Sequence, residues 1–546
     1  MRGWGGSEAE HWRAEAQRLQ GEVDHWRAEA ERLAAVAAAS GARVTELEGQ
    51  VAALSEKVAT LAKLAFGASS ETKKRATPTD DAGGPEGGAS SGRRRRGQQP
   101  GSRGHGRRDH SGLDTVEEVH DVPEGEQVCP CCGAAYAPFG EETSEQIDWQ
   151  VRIVRIVHRR PTYRRTCGCP VPGVLVAPVP PKPIPKGMFT SGFLARLLVD
   201  KYVLGRPLCR IAAALANDGL DVAQGTLVGA LRAVSALLAP LDAAIRARNA
   251  AAGHLHVDET SWSVFETVAD KANHRWWLWV FVGADTTVFH IAKHRSTEVL
   301  TSHLGIDIDA GSLEAGRRLV LSSDFFTVYQ SLANVEGVSP LWCWAHIRRY
   351  FIRAGDAHRS LAGWTTAWLE RIGALYAAHR ALGAAEVGSA SHTAAAEGLA
   401  AALGAIDAAR KAQAAQPALL HPAAAKVLAT LDHEWEGLAR HQDLPELPLD
   451  NNVAERALRN PVVGRKSYYG SGSVWAAELA GRAWTITATA TRAGCNPLAY
   501  LRAYLDACAA NGGRPPSGEA LERFLVWAAS PDDLAAFTSV ANGPAP

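Results

Sequence analysis

The sequence is poor in the features that send a chain to a membrane or out of the cell. Its longest strongly apolar run, Trp276 to Val282, falls far short of the roughly 20 residues a bilayer span requires. The segment Met1 to Glu10 lacks the basic-then-apolar pattern of a secretory signal, so none is expected there. Cysteine is scarce and odd in number, nine in 546 residues. That excludes a disulfide scaffold and points to a reducing, cytoplasmic setting. An excess of one charge is also missing: Lys plus Arg is 58 and Asp plus Glu is 58. A uniformly basic nucleic-acid coat is thereby excluded, though a local basic patch is not. What is present is a 46% hydrophobic content, enough for a sizeable core. The length suggests three or four domains at about 150 residues each, and abundant Ala points to much helix.

The N-terminal part, residues 8–71, carries a repeat. HWRAEAQRL (His11 to Leu19) recurs as HWRAEAERL (His25 to Leu33), two heptads later. Ala16, Val23, Ala30, Ala37, Val44, Val51 and Val58 fall at heptad a. Trp12, Leu19, Trp26, Leu33, Leu47, Leu54 and Leu61 fall at d. An apolar residue every 3.5 positions keeps one seam facing a partner helix, and Val at a with Leu at d favours two parallel strands. A coiled coil forming a homodimer or higher oligomer is expected, broken near Ser40-Gly41; a lone amphipathic helix is the alternative. Residues 72–112 follow, rich in Gly, Ser, Pro and Arg and too polar to build a core. Arg93, Arg94, Arg95, Arg96, Arg103, Arg107 and Arg108 lie there among glycines. Such a segment can follow phosphates without reading bases, or serve as a solvated linker.

Residues 113–180 hold two thiol pairs, Cys129 with Cys132 and Cys167 with Cys169. Between them Ile147, Trp149, Val151 and Ile153 alternate with polar residues, the period of a half-buried strand. Two thiolate pairs on a hairpin predict a structural Zn²⁺ ribbon. The second pair is C-x-C, tighter than usual, and Cys131 and His158 are substitute ligands; a small β unit with reduced thiols is the alternative. Residues 186–248 have helical periodicity, with Leu194, Leu197, Leu198 and Tyr202, then Ile211, Ala214 and Leu215, then Leu227, Leu231 and Val234. A turn at Asn217-Asp218-Gly219 makes a helix-turn-helix arrangement one reading and a plain helical subdomain the other.

Acidic residues then stand at the ends of expected elements. His254-Leu255-His256-Val257-Asp258-Glu259-Thr260 reads as a strand ending in acids, Arg275 to Ile291 as a hairpin, and Leu319 to Asp324 as another strand ending in an acid. In Leu449-Asp450-Asn451-Asn452-Val453-Ala454-Glu455 the Asp and Asn residues favour a helix start, which puts Glu455 in the first turn. Carboxylates gathered at the mouth of an α/β sheet repel one another unless a cation intervenes, and hard oxygen donors suit Mg²⁺. The alternatives are a capping role for the strand-end acids and an ion pair of Glu455 with Arg459 one turn on.

These motifs together resemble the insertion sequence 66 family of DDE transposases along nearly the whole chain. The similar segments are Leu64 to Glu71, Gly97 to Arg107, Cys129 to Gly133, His256 to Thr260, Trp342 to Phe351, and Asp450 to Arg459 continued by Gly464 to Ser467. The resemblance implies an RNase H-like α/β catalytic domain, in two parts at 252–358 and 446–510, around a helical insertion at 359–445. A C-terminal tail at 511–546 is expected to follow. It implies Asp258, Asp324 and Glu455 as the catalytic triad, holding Mg²⁺ or Mn²⁺. It implies double-stranded DNA as partner, both element ends and target, with accessory proteins of the same element as further candidates. Arg456, Arg459, Arg465 and Lys466 are then candidate phosphate ligands. Two rival readings remain: an RNase H-like nuclease that cuts without joining, and an inactive DNA-binding coiled-coil dimer.

Overall fold

The computed structural model describes residues 174–538 except 270, 272, 308–310, 314 and 315, residues 13–32 except 26, and part of 121–172. Two compact units divide near residue 141. In the first, residues 13–25 and 27–32 are helical (α1). Ala16, Leu19, Val23 and Ala30 of the expected seam are all exposed along it. Arg18 pairs with Glu15 and Glu22, at helical i,i+3 and i,i+4 spacing. The rest of the expected coil and the whole basic linker lie outside the described residues. So do Cys129, Cys167 and Cys169, whereas Cys131 and Cys132 are described and exposed.

The second unit begins with a short antiparallel pair, β1 (Thr162–Arg164) and β2 (Val174–Val176). Three helical stretches follow: α2 (Ser191–Leu198), which continues into a π-turn at Val199–Val203, α3 (Leu208–Asn217) and α4 (Gln224–Ala250). Then comes a five-stranded sheet of β3 (His254–Ser263), β4 (Arg275–Val282), β5 (Thr287–Ala292), β6 (Leu319–Ser323) and β7 (Val338–Trp342). Helix α5 (Thr297–Leu304) links β5 to β6, and α6 (Thr327–Leu332) links β6 to β7. The strand order is β5-β4-β3-β6-β7. The first three strands form an antiparallel meander, and β3, β6 and β7 run parallel. Buried on both faces, β4 reads as the continuous apolar run WWLWVFV expected of such a strand.

The outer edge of β5 is closed by a helix. Helix α13 (Val474–Arg492) lies along it, and the hydroxyls of Thr485 and Thr489 accept from the amides of Phe289 and Thr287. Residues four apart on a helix advance about 6 Å, close to two residues of a strand, so the spacings match. An edge that would otherwise present free amides is thus covered.

After β7 comes α7 (Trp344–Ala357); α8 (Ala362–Ala384), α9 (Ala390–Ala414), α10 (Pro422–His433) and α11 (Trp435–Ala439) then fall within 359–445. This is the helical insertion read from the Ala-rich sequence. Helix α12 (Asn452–Tyr468) returns the chain to the sheet and packs on β3 and β4. The chain ends in α14 (Pro497–Ala510), α15 (Glu519–Glu522) and α16 (Pro531–Ala536).

Two boundaries differ from those expected. Helices α2 and α4 share the core of the sheet domain: Trp484 of α13 donates to the Tyr202 carbonyl, and Tyr504 of α14 donates to that of Leu237. Leu198, Leu227, Val234 and Leu241 are fully buried there, so residues 186–248 do not form a separate body. Residues 511–538, expected as a tail, fold back instead, with Phe524 and Phe537 packed on Tyr500. Among the described residues one helix, α4, is long and apolar enough to cross a membrane. Its apolar residues are spent in the core, and its buried Asp242 pairs with Arg246.

Candidate active site

The parallel pairing of β3 and β6 sets the geometry. His256 is level with Ser322, so two residues further on Asp258, midway along β3, comes level with Asp324, just past the end of β6. Neighbouring strands are about 4.8 Å apart, so these two acids share one mouth of the sheet. Asp324 stands just past β6, where its Oδ1 accepts from the Phe326 amide and closes a tight turn. Asp258 Oδ1 accepts from the Glu259 amide. Burial pushes the Asp258 carboxyl up to about 8, helped by the charges of Glu259, Asp324 and Glu455. Burial first, and neighbouring carboxylates second, thus disfavour the charge on this carboxyl, and a bound cation would offset both.

Glu455 lies in the first turn of α12, where the acid-bearing helix start was predicted. The fastening of that turn is less obvious. Asn451 is almost fully buried and does not cap its own helix. Its side-chain amide donates to the Val257 carbonyl at 2.7 Å, and its oxygen faces His256 Nδ1 at 3.1 Å. Its backbone amide meets Cys343 Sγ at 3.2 Å. Asn451 therefore ties the start of α12 to the strand residue before Asp258 and to the start of α7. Asp450 does the turn's local work, accepting from the Asn452 amide at 3.0 Å.

Alternation along β3 separates the two acids of the Asp258-Glu259 pair. His256, Asp258 and Thr260 face α12. Glu259 points to the other face, where it is buried against Arg295 and the Tyr329 hydroxyl. Arg295 is in turn stacked over Phe326, 3.6 Å from the ring centre. Glu259 is thus a neutralised internal group.

The carboxylate of Glu455 is paired with Arg349 of α7, whose Nη2 donates to both oxygens at 3.1 and 3.2 Å. The partner is not Arg459, one turn along the same helix. Nη1 of Arg349 donates to His346 Nε2 at 3.2 Å. Burial and the adjacent guanidinium hold His346 below its ordinary value, so it is neutral. Among the described residues no three carboxylate, imidazole or thiol groups stand close enough together to hold one cation. Asp258 and Asp324 fit a hard divalent ion by chemistry and register; the Glu455 carboxylate is turned to Arg349 and does not supply a third ligand.

Of the four basic residues of α12 singled out by sequence, three are exposed: Arg456, Arg459 and Lys466. They fall at i, i+3 and i+10, one stripe about 15 Å long running away from Glu455. Arg465 is turned inward, with Nη1 on Thr260 Oγ1 at 3.1 Å and on the Ser261 carbonyl, so it staples α12 to β3. Sequence reasoning missed Arg349, Asn451 and the inner roles of Arg465 and Glu259. Only the i,i+3 spacing of His346 and Arg349 on one helix face hinted at the first of them.

The strand order and the helices on the sheet define the class: an RNase H-like fold, with one acid midway along its first strand and one just past its fourth. Residues 186–479, more than half of the chain, match the transposase IS66 family, and the chain belongs to that family. It is also similar to three proteins of Sinorhizobium fredii (strain NBRC 101917 / NGR234) that carry no described function. Identity to y4hP is 25% over 71% of this chain and 72% of the relative. Identity to y4qI is 27% over 77% of each, and to y4jD 29% over 57% of this chain and 63% of the relative.

Proposed function

We propose that the protein binds DNA at the ends of a mobile element, cuts it and joins the ends to a target. The observation that carries the reading is the level placement of Asp258 and Asp324 on adjacent parallel strands, with Glu455 at the start of the helix laid across one of them. Asp258 and Asp324 would hold the divalent ion, with Glu455 completing the set. A bound ion of this kind lowers the pKa of an attacking water or 3′-hydroxyl and neutralises the leaving oxygen. The protein's own residues supply the rest. Asn451 and Arg465 fix α12 on β3, so the helix that carries Glu455 is positioned before substrate arrives. Arg456, Arg459 and Lys466 hold the backbone of the bound strand as charged donors. No side chain needs to form a covalent bond to DNA, because water and then the freed 3′-hydroxyl attack the phosphodiester directly.

The outer segments extend the reading. The N-terminal heptads pair two protomers, so both element ends are handled together. The arginines at 93–108 add sequence-independent affinity. Cys129, Cys132, Cys167 and Cys169 brace a small Zn²⁺-bound unit, and α3 with the start of α4 offers a helix-turn-helix surface. The test is strand cleavage and strand transfer on end-containing DNA with Mg²⁺. The Asp258→Asn variant should lose both activities by at least about 100-fold. Undiminished Mg²⁺-dependent cleavage in that variant rejects the site, and cleavage without transfer in the parent protein reduces the function to that of a nuclease.

A further inference from the structure

Helix α7 presents His346, Arg349 and Arg353 at i, i+3 and i+7, on one face. That face borders the acids, because the charges of Asp324 and Glu455 both act on His346. Phe325, the residue after Asp324, sets its ring edge-on to His346 at 6.4 Å. The central contact is the Arg349–Glu455 pair. It is open to solvent: the Arg349 side chain is 41% exposed and that of Glu455 27%. Exposed pairs of this kind contribute little, so the pair exchanges readily for a better partner on either side. A divalent ion is a better partner for the carboxylate. A phosphodiester is a good partner for the guanidinium, whose forked donors match its two oxygens.

Resting on the proposed function above, we infer that Arg349 is a positioning residue that holds Glu455 off the cation site until DNA arrives. Without DNA, the guanidinium and a divalent ion compete for one carboxylate, so the third ligand is withheld. When a strand lies across the mouth of the sheet, Arg349 transfers to one of its phosphates and releases Glu455 to join Asp258 and Asp324. The exchange is charge-balanced: the phosphate replaces the carboxylate on Arg349, and the ion replaces Arg349 on the carboxylate. Metal binding and DNA binding are thereby coupled, and each strengthens the other by the same factor. This keeps a loaded hydrolytic site from existing away from its substrate.

The test is Mn²⁺ binding to the full chain, measured by titration calorimetry and electron paramagnetic resonance, with and without a non-cleavable end DNA. In Arg349→Gln, Mn²⁺ should bind about two- to fivefold more tightly than in the parent protein when DNA is absent, and the enhancement by DNA should shrink. Arg349→Lys, which keeps the charge but loses the fork, should fall between the two. Asp258→Asn should bind Mn²⁺ weakly in every background. If Arg349→Gln binds no more tightly than the parent while Asp258→Asn is weakened, the latch is wrong and the carboxylate site stands. If Asp258→Asn binds as the parent does, the site itself is wrong and the latch falls with it.

Discussion

At the scale of single residues, the site is built from groups that carry opposite burdens. Asp258 is kept protonated near neutral pH by burial and by neighbouring carboxylates, whereas Glu259, next in the chain, has its charge cancelled by Arg295. The sign of the Asp258 effect on stability follows. Its folded value, about 8, lies above the ordinary 3.8. The stabilisation linked to its proton is therefore complete below about pH 4 and is lost as the pH rises through about 8. In buffer without divalent ions, Asp258→Asn should gain stability relative to the parent between pH 5 and pH 9, by about 1–3 kcal/mol. Thermal unfolding across that range checks it; Mg²⁺ should restore the parent at pH 8 and leave the variant unchanged. A constant difference across pH would show that the crowding of carboxylates is absent.

At the scale of elements, α12 does most of the positioning. One end carries Glu455 and is fastened by Asn451, and the middle is stapled by Arg465. The outward stripe of Arg456, Arg459 and Lys466 is exposed, and in the proposed function it meets the DNA backbone. Neutralising one of them, as in Arg459→Gln, should weaken DNA binding about equally for all sequences. It should also reduce the slope of log affinity against log salt by about one. Arg465→Gln should instead lower thermal stability and leave that slope nearly unchanged. Much of this scale was legible in the sequence, because strands and helix starts announce themselves locally. The strand bearing Asp258, the hairpin at 275–291 and the Asp-Asn-Asn start of α12 fell where predicted, but β3 does not end at its acids and runs on to Ser263 because β4 pairs it that far. Arg349, Asn451 and Arg465 were not legible, since their partners lie 106, 194 and 205 positions away. Spacing reports only what is near in the chain, so Arg465 read as one more surface cation.

At the scale of the molecule, the sheet, the helices before it and those after it share one hydrophobic core. The helical stretch at 186–248 looked separable because its periodicity is self-contained. Periodicity, however, reveals that a helix has an apolar face and not which element covers it; here α13 and α14 cover it. The helical insertion was legible from its Ala-rich composition, and the two acids before it and the one after it were legible as motifs. The level placement of the two aspartates depends on the parallel pairing of strands more than sixty residues apart, which no local pattern states. The central claim is that this pairing builds a cation site for phosphodiester chemistry. Its most direct test is anomalous diffraction from crystals of the DNA complex soaked in Mn²⁺. The account predicts an ion liganded by both Asp258 and Asp324, with Glu455 turned away from Arg349 towards it. Manganese found elsewhere on the chain, with the two aspartates unliganded beside bound DNA, would contradict it.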